Sequence, residues 1–517
     1  QTLTELVNLP FYELQQYFDS LILNDYDYSI AKRLLKEIRN RINFLCEVGL
    51  EYLTLNRKSN SLSGGESQRI NLATSLGSSL VGSLYILDEP SIGLHPKDTQ
   101  RLVKVLSKLR DLGNTVLIVE HDEEIMKASD EIIDIGPEAG VFGGEVVAQG
   151  SFKELLKSQS LTAKYLNGEL KIEVPVNRRK SNYEIRIDGA RHHNLKNIDV
   201  SFPLEQLVVI TGVSGSGKST LVQKILYPAL EREKEIFNHK PGQFTAIQGD
   251  IDAIDHIQYI DQNPIGLSSR SNPVTYIKAY DDIRSLYAGL KGSKVRGFKT
   301  KHFSFNVDGG RCETCKGEGT TTVEMQFMAD VKLTCETCNG KRFKKEVLEV
   351  CFENKNIHDL LSMSIEEAIA FFSKYQQQKI VSKLQPLQDV GMGYVALGQS
   401  SSTLSGGEAQ RIKLATFLLK GNKGGKTLFI FDEPTTGLHF HDIQKLLKSF
   451  NALIDNGHSL IVIEHNIELI KSADHIIDLG PHGGDKGGEL IATGTPEEIA
   501  KHPHSCIAPF LKEKLEL

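Results

Sequence analysis

The chain has 517 residues, of which 40% are hydrophobic and none is tryptophan. This length favours several compact units, each with its own core, over a single domain. The formal net charge of −6 argues against a surface that is basic throughout, although a local basic patch is compatible with it. The sequence has neither an apolar run long enough for a membrane helix nor a signal-peptide pattern at its N-terminus. We therefore expect a cytoplasmic protein without a membrane segment.

The first predicted elements are helices around a glycine-rich motif. Apolar residues recur at helical spacing just before this motif, at Ile30, Leu34, Leu35, Ile38, Ile42 and Leu45. The motif itself, LSGGESQRINLAT at residues 62–74, is expected at the start of a helix. Short β-branched runs follow, SLYILDE and TVLIVEH, and these are typical of buried parallel strands. Strands that alternate with helices indicate an α/β fold.

An internal repeat organises the whole chain. Residues 88–150 recur at 432–494 with a constant offset of 344 residues, and the glycine-rich motif at 62–74 recurs at 404–416 with an offset of 342. Such spacing indicates two domains of the same kind. A polar stretch at 167–184 is predicted to link them.

A phosphate-binding loop is predicted in the second half. The stretch GVSGSGKST follows the strand-like run QLVVIT and precedes the helical stretch LVQKIL, which is the context that a P-loop requires. Its residues are Gly212, Val213, Ser214, Gly215, Ser216, Gly217, Lys218, Ser219 and Thr220. We expect backbone N–H groups to surround phosphate oxygens, Lys218 to reach the β- and γ-phosphates, and Ser219 to ligate Mg²⁺. An accidental Gly-Ser turn is the alternative.

Four further polar residues are candidates for ATP hydrolysis. Asp432 ends an apolar strand, where a carboxylate can hold the hydration shell of Mg²⁺, and the adjacent Glu433 is placed to polarise the attacking water. His465 ends the next strand-like run and is a candidate γ-phosphate contact. Gln262 is a candidate link between Mg²⁺ and the neighbouring subdomain. Taken singly, a strand-end carboxylate or a lone histidine is more often structural, but the P-loop reverses that balance; Gln262 is equally compatible with an ordinary loop amide.

Four of the seven cysteines form two Cys-x-x-Cys pairs. Cys312 and Cys315 are separated by 19 residues from Cys335 and Cys338, a spacing that suits tetrahedral Zn²⁺ better than a redox dithiol. The zinc module is placed at residues 309–343. Basic residues and an aromatic surround the two pairs, at Lys316, Lys341, Arg342, Phe343, Lys344 and Lys345. Contact with DNA and a solvated rim on a structural zinc site both explain them.

The LSGGE motif occurs twice, each time ahead of a strand that ends in Asp-Glu-Pro, and this combination resembles the ATP-binding-cassette (ABC) ATPases. The resemblance implies that ATP lies between the P-loop of one half and the signature of the other. The complete site would combine the P-loop, Gln262, Asp432, Glu433 and His465 with Ser63, Gly64, Gly65 and Glu66. The other site would use Asp88, Glu89, His121, Ser405, Gly406, Gly407 and Glu408, but no GxxxxGK[ST] pattern precedes Leu62. We therefore expect the chain to be a fragment of a longer protein.

The long interval between the P-loop and the second signature holds the cysteine module. Together with the strings SRSNP (269–273), FSFNV (303–307), GGRCETCKGEG and LDEPSIGLH, this interval closely resembles the UvrA family of DNA-repair ATPases. The resemblance implies a homodimer with ATP, Mg²⁺ and Zn²⁺ as cofactors. It also implies recognition of damaged double-stranded DNA in nucleotide excision repair, and loading of the partner UvrB without DNA cleavage by the chain itself. GLSSRSNP and KTKHFSFNV depart from the family pattern, which leaves open a UvrA-like paralogue without the UvrB-binding region.

The resemblance favours UvrA over three other classes of cassette protein. A transporter ATPase pair explains neither the zinc module nor the long interval, and a chromosome-maintenance ATPase requires a heptad coiled coil that is missing from this sequence. A translation-associated cassette protein is not expected to carry four cysteines there.

The predicted fold is α/β, with two tandem ABC-type ATP-binding domains, helical signature subdomains and a zinc-binding insertion. Its divisions are 1–75 (signature subdomain I), 76–166 (rest of ATP-binding domain I), 167–184 (linker), 185–270 (start of ATP-binding domain II), 271–415 (signature subdomain II) and 416–517 (rest of domain II).

Overall fold

The computed structural model describes residues 2–59, 62, 64–77, 81–140, 143–266, 270–323, 325, 331–420 and 425–516. The chain forms two compact units. The first unit comprises Gln1–Ile135, Glu145–Tyr259 and Gly424–Leu517, and the second comprises Gly136–Gly144 and Ile260–Lys423. The Asp-Glu-Pro motifs of both repeats lie in the first unit together with the first signature, whereas the second signature lies in the second unit.

The helices are, in chain order, α1 (Leu3–Asn8), α2 (Phe11–Ser20), α3 (Asp25–Glu47), α4 (Gly64–Gly77), α5 (Pro96–Asp111), α6 (Glu123–Ala128), α7 (Phe152–Leu155), α8 (Leu161–Leu166), α9 (Tyr227–Glu233), α10 (Pro273–Tyr276), α11 (Ala279–Gly289), α12 (Lys291–Val295), α13 (Lys345–Leu348), α14 (Ile357–Ser362), α15 (Ile365–Lys374), α16 (Gln378–Asp389), α17 (Gly406–Lys420), α18 (Phe440–Asp455), α19 (Ile467–Ile470), α20 (Pro496–Ile499) and α21 (Ala508–Lys514). A π-helical segment, Thr220–Leu226, leads into α9. Within the described ranges, no helix combines the length and the apolar character needed to cross a membrane.

The strands are β1 (Leu84–Asp88), β2 (Thr115–Val119), β3 (Ile132–Gly136), β4 (Glu145–Gly150), β5 (Glu184–Ala190), β6 (Ile198–Pro203), β7 (Leu207–Gly212), β8 (Ala246–Gly249), β9 (His256–Ile260), β10 (Thr320–Val323), β11 (Val331–Thr334), β12 (Cys351–Phe352), β13 (Lys355–Asn356), β14 (Thr427–Asp432), β15 (Ser459–Ile463), β16 (His475–Gly480) and β17 (Glu489–Gly494).

A six-stranded sheet with the order β17-β16-β7-β15-β14-β9 carries the P-loop of the first unit. Strand β7 is parallel to both of its neighbours, β15 and β16, and all of its residues are buried. Strand β14 is parallel to β15, with Asp432 beside Ile463. The carboxyl ends of β7, β14 and β15 therefore meet at one edge, which is where open α/β sheets bind ligands.

The strands of the first half are less buried than we predicted from their sequence. β1 and β2 pair in parallel with the same register as β14 and β15, which confirms the repeat. One face of this pair is exposed, however: Ile86 is 65% exposed, whereas Ile430, its equivalent in the repeat, is fully buried. Ile430 belongs to the core cluster that contains β7 and the π-helical segment. In the described part of the first half, β1 pairs only with β2, so this face lacks that cover.

The predicted helices around the signatures are confirmed. The apolar pattern before the first signature lies in α3, where Leu35 and Ile42 are buried while Ile30 and Leu34 are exposed. The signature helices α4 and α17 begin at Gly64 and Gly406. Each signature thus lies at the N-terminus of a helix, whose dipole favours an anion.

The polar stretch at 167–184 is irregular but held to the first unit by two arginines. The Arg178 guanidinium lies 2.6 Å from Glu497 Oε1 and donates to the backbone oxygens of Ala473 and Lys471. Arg179 donates its backbone N–H to the buried carboxylate of Asp474 at 2.9 Å. A segment with few large apolar side chains is therefore fixed by charge-assisted hydrogen bonds rather than by its own core.

The two repeat-equivalent isoleucines make a matched pair for a stability test. Ile430→Ala removes buried methyl groups from the core cluster that also contains residues of β7, so we expect it to lower the free energy of unfolding by about 2–5 kcal/mol. Ile86→Ala acts on an exposed face, and we expect an effect of roughly 0.5 kcal/mol or less. Urea unfolding followed by circular dichroism measures both variants. Equal losses of stability would contradict the difference in burial.

Candidate functional site

The P-loop connects β7 to the π-helical segment and requires glycine at several positions. Gly212 has φ +138°, and a β-carbon there would lie 1.9 Å from the backbone oxygen of Leu479. Gly217 has φ +107°, and its β-carbon would lie 2.8 Å from Leu195. The loop therefore closes tightly on its surroundings, and a side chain at either position would open it.

Lys218 is buried inside this loop. Its ammonium group donates to the backbone oxygens of Gly212 (2.9 Å) and Val213 (3.0 Å). Burial lowers the pKa of Lys218, and the carboxylates of Glu433 and Asp98 counteract this effect. The lysine thus supplies a desolvated positive charge within the loop.

The remaining groups of the loop fit a phosphate. The hydroxyls of Ser214 and Ser216 are buried and have no hydrogen-bond partner among the described residues. Ser219 lies at the N-cap of the π-helical segment and Thr220 begins it, so the helix N-terminus faces the loop. Orphaned hydroxyls, a helix N-terminus and an enclosed ammonium together form a site that is complementary to a phosphate chain.

Asp432 ends β14 next to the P-loop helix. Its Oδ2 atom accepts hydrogen bonds from Gln223 Nε2 (2.8 Å) and from the hydroxyl of Tyr259 (3.1 Å). These two contacts fix the carboxylate that the sequence assigns to Mg²⁺. The sequence analysis did not identify Gln223, although its place on the P-loop helix was a usable signal.

Glu433 has a strained backbone and a perturbed carboxyl group. Its φ is +47°, a left-handed value that is uncommon outside glycine, and Glu89, its repeat equivalent, has φ +46°. Burial, together with the negative charges of Asp432 and Glu464, raises the pKa of Glu433 to about 8, although Lys218 opposes the rise. Burial also raises the pKa of Glu89. A carboxyl group with a pKa near the operating pH suits a general base.

The two Asp-Glu-Pro loops, residues 88–95 and 432–439, meet within the first unit. A β-carbon on Gly93 would lie 3.0 Å from Glu433 Oε2, and one on Gly437 would lie 3.0 Å from Glu89 Oε1. Each glutamate therefore packs against the glycine of the other repeat. A cavity of about 170 Å³ lies between the loops and is lined by both glutamates.

Four histidines surround this junction. His465 Nε2 lies 3.9 Å from Glu433 Oε1, and the His465 ring meets that of His95 with centroids 6.3 Å apart. Burial lowers the pKa of His465 well below its ordinary value and that of His95 to about 3, so both rings are neutral. His121 approaches His439 in the equivalent position, at 6.5 Å. The sequence analysis identified His121 and His465 but not the other two.

The two signatures lie in different units. In the first unit, Gly64 begins α4 and Glu66 accepts a hydrogen bond from the Tyr52 hydroxyl at 2.6 Å, while Ser63 lies outside the described residues. In the second unit, Ser405 and Glu408 cap α17, because Ser405 N–H donates to Glu408 Oε2 and Glu408 N–H donates to Ser405 Oγ. Gly406 and Gly407 form the first turn of α17.

Gln262 lies in the second unit, against the second signature. A β-carbon on Gly406 would lie 3.0 Å from Gln262 Cβ. The coupling of Mg²⁺ to the neighbouring subdomain through Gln262 stays a prediction.

The four cysteines converge at a buried point of the second unit. All four Sγ atoms lie within 4.8 Å of one another, with 4.0 Å between Cys312 and Cys335 and 3.7 Å between Cys315 and Cys338. A tetrahedron with zinc–sulfur distances of about 2.3 Å places its sulfurs roughly 3.8 Å apart. Strands β10 and β11 form an antiparallel hairpin between the two pairs. The cluster therefore fits a structural zinc ion.

The basic residues around the cysteines separate into two groups. Phe343 is part of the core, Arg342 donates to the backbone oxygen of Gly398 at 3.0 Å, and Lys344 pairs with Glu313 at 2.5 Å. By contrast, Lys316, Lys341 and Lys345 are exposed. The aromatic ring expected to accompany DNA contact is thus a packing residue, and three lysines remain at the surface.

Comparisons with known proteins show what this chain is similar to. No protein-family model matches the chain. UvrABC system protein A of Staphylococcus epidermidis is 54% identical over 514 residues, which cover 99% of this chain and 54% of that protein. The protein of the same name from Clostridium tetani is 53% identical over 513 residues, with the same two coverages. This chain is a homologue of UvrA. It spans about half the length of the curated relatives it matches.

A solved structure extends the UvrA comparison to the fold. UvrA2 from Deinococcus radiodurans matches with a TM-score of 0.92 and 40% identity over 99% of this chain and 63% of that chain. This UvrA homologue therefore has a UvrA2-like ABC ATPase fold of the α/β class. Its four-cysteine cluster is consistent with a zinc insertion.

The cysteine cluster allows a direct test of metal content. We expect the parent chain to hold about one zinc ion and Cys335→Ser to lose it, because four thiolates close the coordination shell. Cys351→Ser is the matched control, since Cys351 is exposed and lies outside the cluster. Elemental analysis of the purified proteins measures the stoichiometry. Undiminished zinc in Cys335→Ser would contradict the assignment.

Proposed function

We propose that this chain hydrolyses ATP at one composite site in the first unit. The observation that carries the proposal is the contact between the two Asp-Glu-Pro loops, which places Gly93 of the first repeat against Glu433 of the second. The P-loop from Gly212 to Thr220 binds the phosphates, and Gly64, Gly65, Glu66 and Ser63 of the first signature complete the site. This arrangement matches the interlocked halves of cassette ATPases.

Each residue of the second half has a distinct role in this proposal. Mg²⁺ neutralises charge on the phosphate oxygens when it is bound, and Ser219 and Asp432 are the residues of the first unit that would hold it. Glu433 accepts the proton of the attacking water. Lys218 stabilises negative charge on the phosphates, and neutral His465 contacts the γ-phosphate. Asp88, Glu89, His121 and the signature from Ser405 to Glu408 are the repeat counterparts of these residues, but no GxxxxGK[ST] pattern precedes Leu62, so we propose no second active site in this chain.

We further propose that the hydrolysis serves recognition of damaged double-stranded DNA in nucleotide excision repair. Curated relatives named UvrABC system protein A support this function, as do the exposed lysines Lys316, Lys341 and Lys345 beside the cysteine cluster. A homodimer in the cytoplasm that loads UvrB is part of the same proposal, and so are the domain boundaries given above. A UvrA-like paralogue that does not bind UvrB is the alternative.

The function is tested by measuring ATP hydrolysis by the zinc-loaded chain with undamaged duplex, with duplex that carries a bulky lesion, and without DNA. We expect hydrolysis that responds to the lesion, and loss of nucleotide binding in Lys218→Ala. Lys224→Ala is the control, because Lys224 is an exposed lysine of the same helix. A chain without affinity for duplex DNA would contradict the DNA proposal, and nucleotide binding by Lys218→Ala would contradict the ATP site.

The raised pKa of Glu433 predicts a pH dependence for catalysis. Because the base must lose its proton before it can accept one from water, we expect kcat/KM to rise with pH up to a pKa of about 8. Glu433→Gln should lower kcat by about 100-fold or more and abolish the rise of kcat/KM with pH. Glu489→Gln, a control at an exposed strand residue, should keep the parent profile. Two results would contradict this role: a kcat/KM of the parent that does not change between about pH 6 and 9, or a rise of kcat/KM with pH that persists in Glu433→Gln.

A further inference from the structure

We infer that Tyr52 is a positioning residue that ties the first signature helix to the P-loop. This inference rests on the proposed ATP site and names a residue to which the sequence analysis gave no role. Tyr52 precedes the signature by ten residues and lies in the first unit together with α4 and the P-loop.

The ring and the hydroxyl of Tyr52 have different partners. A β-carbon on Gly215 of the P-loop would lie 2.9 Å from Tyr52 Cδ2, and one on Gly483 would lie 3.0 Å from Tyr52 Cδ1. The ring therefore lies between the P-loop and the loop of residues 481–488. Its hydroxyl donates to Glu66 Oε1 at 2.6 Å, in the first turn of α4.

The loop on the other side of the ring is itself bound to the P-loop. Gly484 N–H donates to the backbone oxygen of Gly215 at 3.0 Å, and the amide of Asn194 donates to both Gly215 and Gly484. Tyr52 thus contacts a rigid pair of glycine loops on one side and the signature helix on the other. A shift of the P-loop is transmitted to Glu66 through one aromatic ring.

The internal repeat contains the same pair a second time. Tyr394 lies 342 residues after Tyr52, the same offset that relates the two signatures, and its hydroxyl donates to Glu408. A β-carbon on Gly140 would lie 3.0 Å from Tyr394 Cβ, as one on Gly484 would lie 2.9 Å from Tyr52 Cβ. The arrangement is therefore a feature of the repeat rather than an accident of one contact. It differs in that the ring of Tyr52 meets a P-loop glycine.

The chemistry of the pair suits a permanent tether. Burial raises the pKa of Tyr52 well above its ordinary value, and the Glu66 carboxylate raises it further. The phenol therefore stays protonated and acts as the donor of the hydrogen bond to Glu66. A hydrogen bond to a charged acceptor is stronger than one between neutral groups, so this bond holds the signature amides at a fixed distance from the P-loop.

The test compares Tyr52→Phe with Tyr394→Phe in the complete chain. Tyr52→Phe keeps the ring and removes the hydroxyl; we expect kcat for ATP to fall about tenfold, equivalent to about 1.4 kcal/mol. The KM and the affinity for ATP should stay within about twofold, because the P-loop is intact. Tyr394→Phe removes the same hydroxyl away from the P-loop and should leave kcat unchanged. Unchanged kcat in Tyr52→Phe, or an equal loss in both variants, would overturn the inference.

Two further measurements separate a tether from general loss of structure. Glu66→Leu should reproduce the loss of kcat, and the double variant with Tyr52→Phe should lose no more than either single variant, because both remove one interaction. Losses that multiply would overturn the inference.

Hydrogen exchange without nucleotide should be faster in residues 65–75 of Tyr52→Phe than in the same residues of the parent and of Tyr394→Phe. This arm does not require catalysis, so a parent chain that hydrolyses no ATP refutes the proposed function, whereas unchanged exchange refutes the tether.

Discussion

The contact between the two Asp-Glu-Pro loops is the constraint on which the ATP site depends. Glu433 packs against Gly93 and Glu89 packs against Gly437, and both glycines have positive φ values near +66°. A larger residue at either glycine would displace the glutamate of the other repeat. Because the loops meet in this way, the end of β14 and the first half of the repeat are held together around the P-loop. Burial and the neighbouring carboxylates of Asp432 and Glu464 give Glu433 its high pKa, and the positive charge of Lys218 offsets part of this rise.

The repeat gives the two halves the same local structure but not the same burial. β1 and β2 have the same register as β14 and β15. The hydrogen bond from Tyr52 to Glu66 likewise recurs between Tyr394 and Glu408. The difference arises from β7 and the helical segment that follows it. Both contribute to the core cluster that buries Ile430, and the described residues contain no counterpart of them next to Ile86. One strand with its loop and helix therefore supplies both the phosphate site and much of the hydrophobic core of the second half.

The sequence predicted those features that depend on local pattern. The helical start of both signatures, the strand before Asp432 and the convergence of four cysteines follow from spacing and are confirmed. The exposure of β1 and β2 was not predictable, because an apolar β-branched run has the same sequence pattern whether its faces are buried or exposed. Phe343 was misassigned to a surface role, since composition does not distinguish a core aromatic from an exposed one. Tyr52 was missed, although the 342-residue offset that relates the two signatures also relates Tyr52 to Tyr394.

The central claim is that one ATP site is built from both halves of a single chain. It is tested most directly by mixing two inactive variants, Lys218→Ala in the P-loop and Gly65→Asp in the first signature, and measuring ATP hydrolysis. A β-carbon on Gly65 would lie 2.5 Å from the backbone oxygen of Ile92, so the second substitution disrupts the signature. If the site forms within one chain, the mixture stays as inactive as its components. Recovery of hydrolysis on mixing would contradict the account, because it requires the P-loop of one chain to pair with the signature of another.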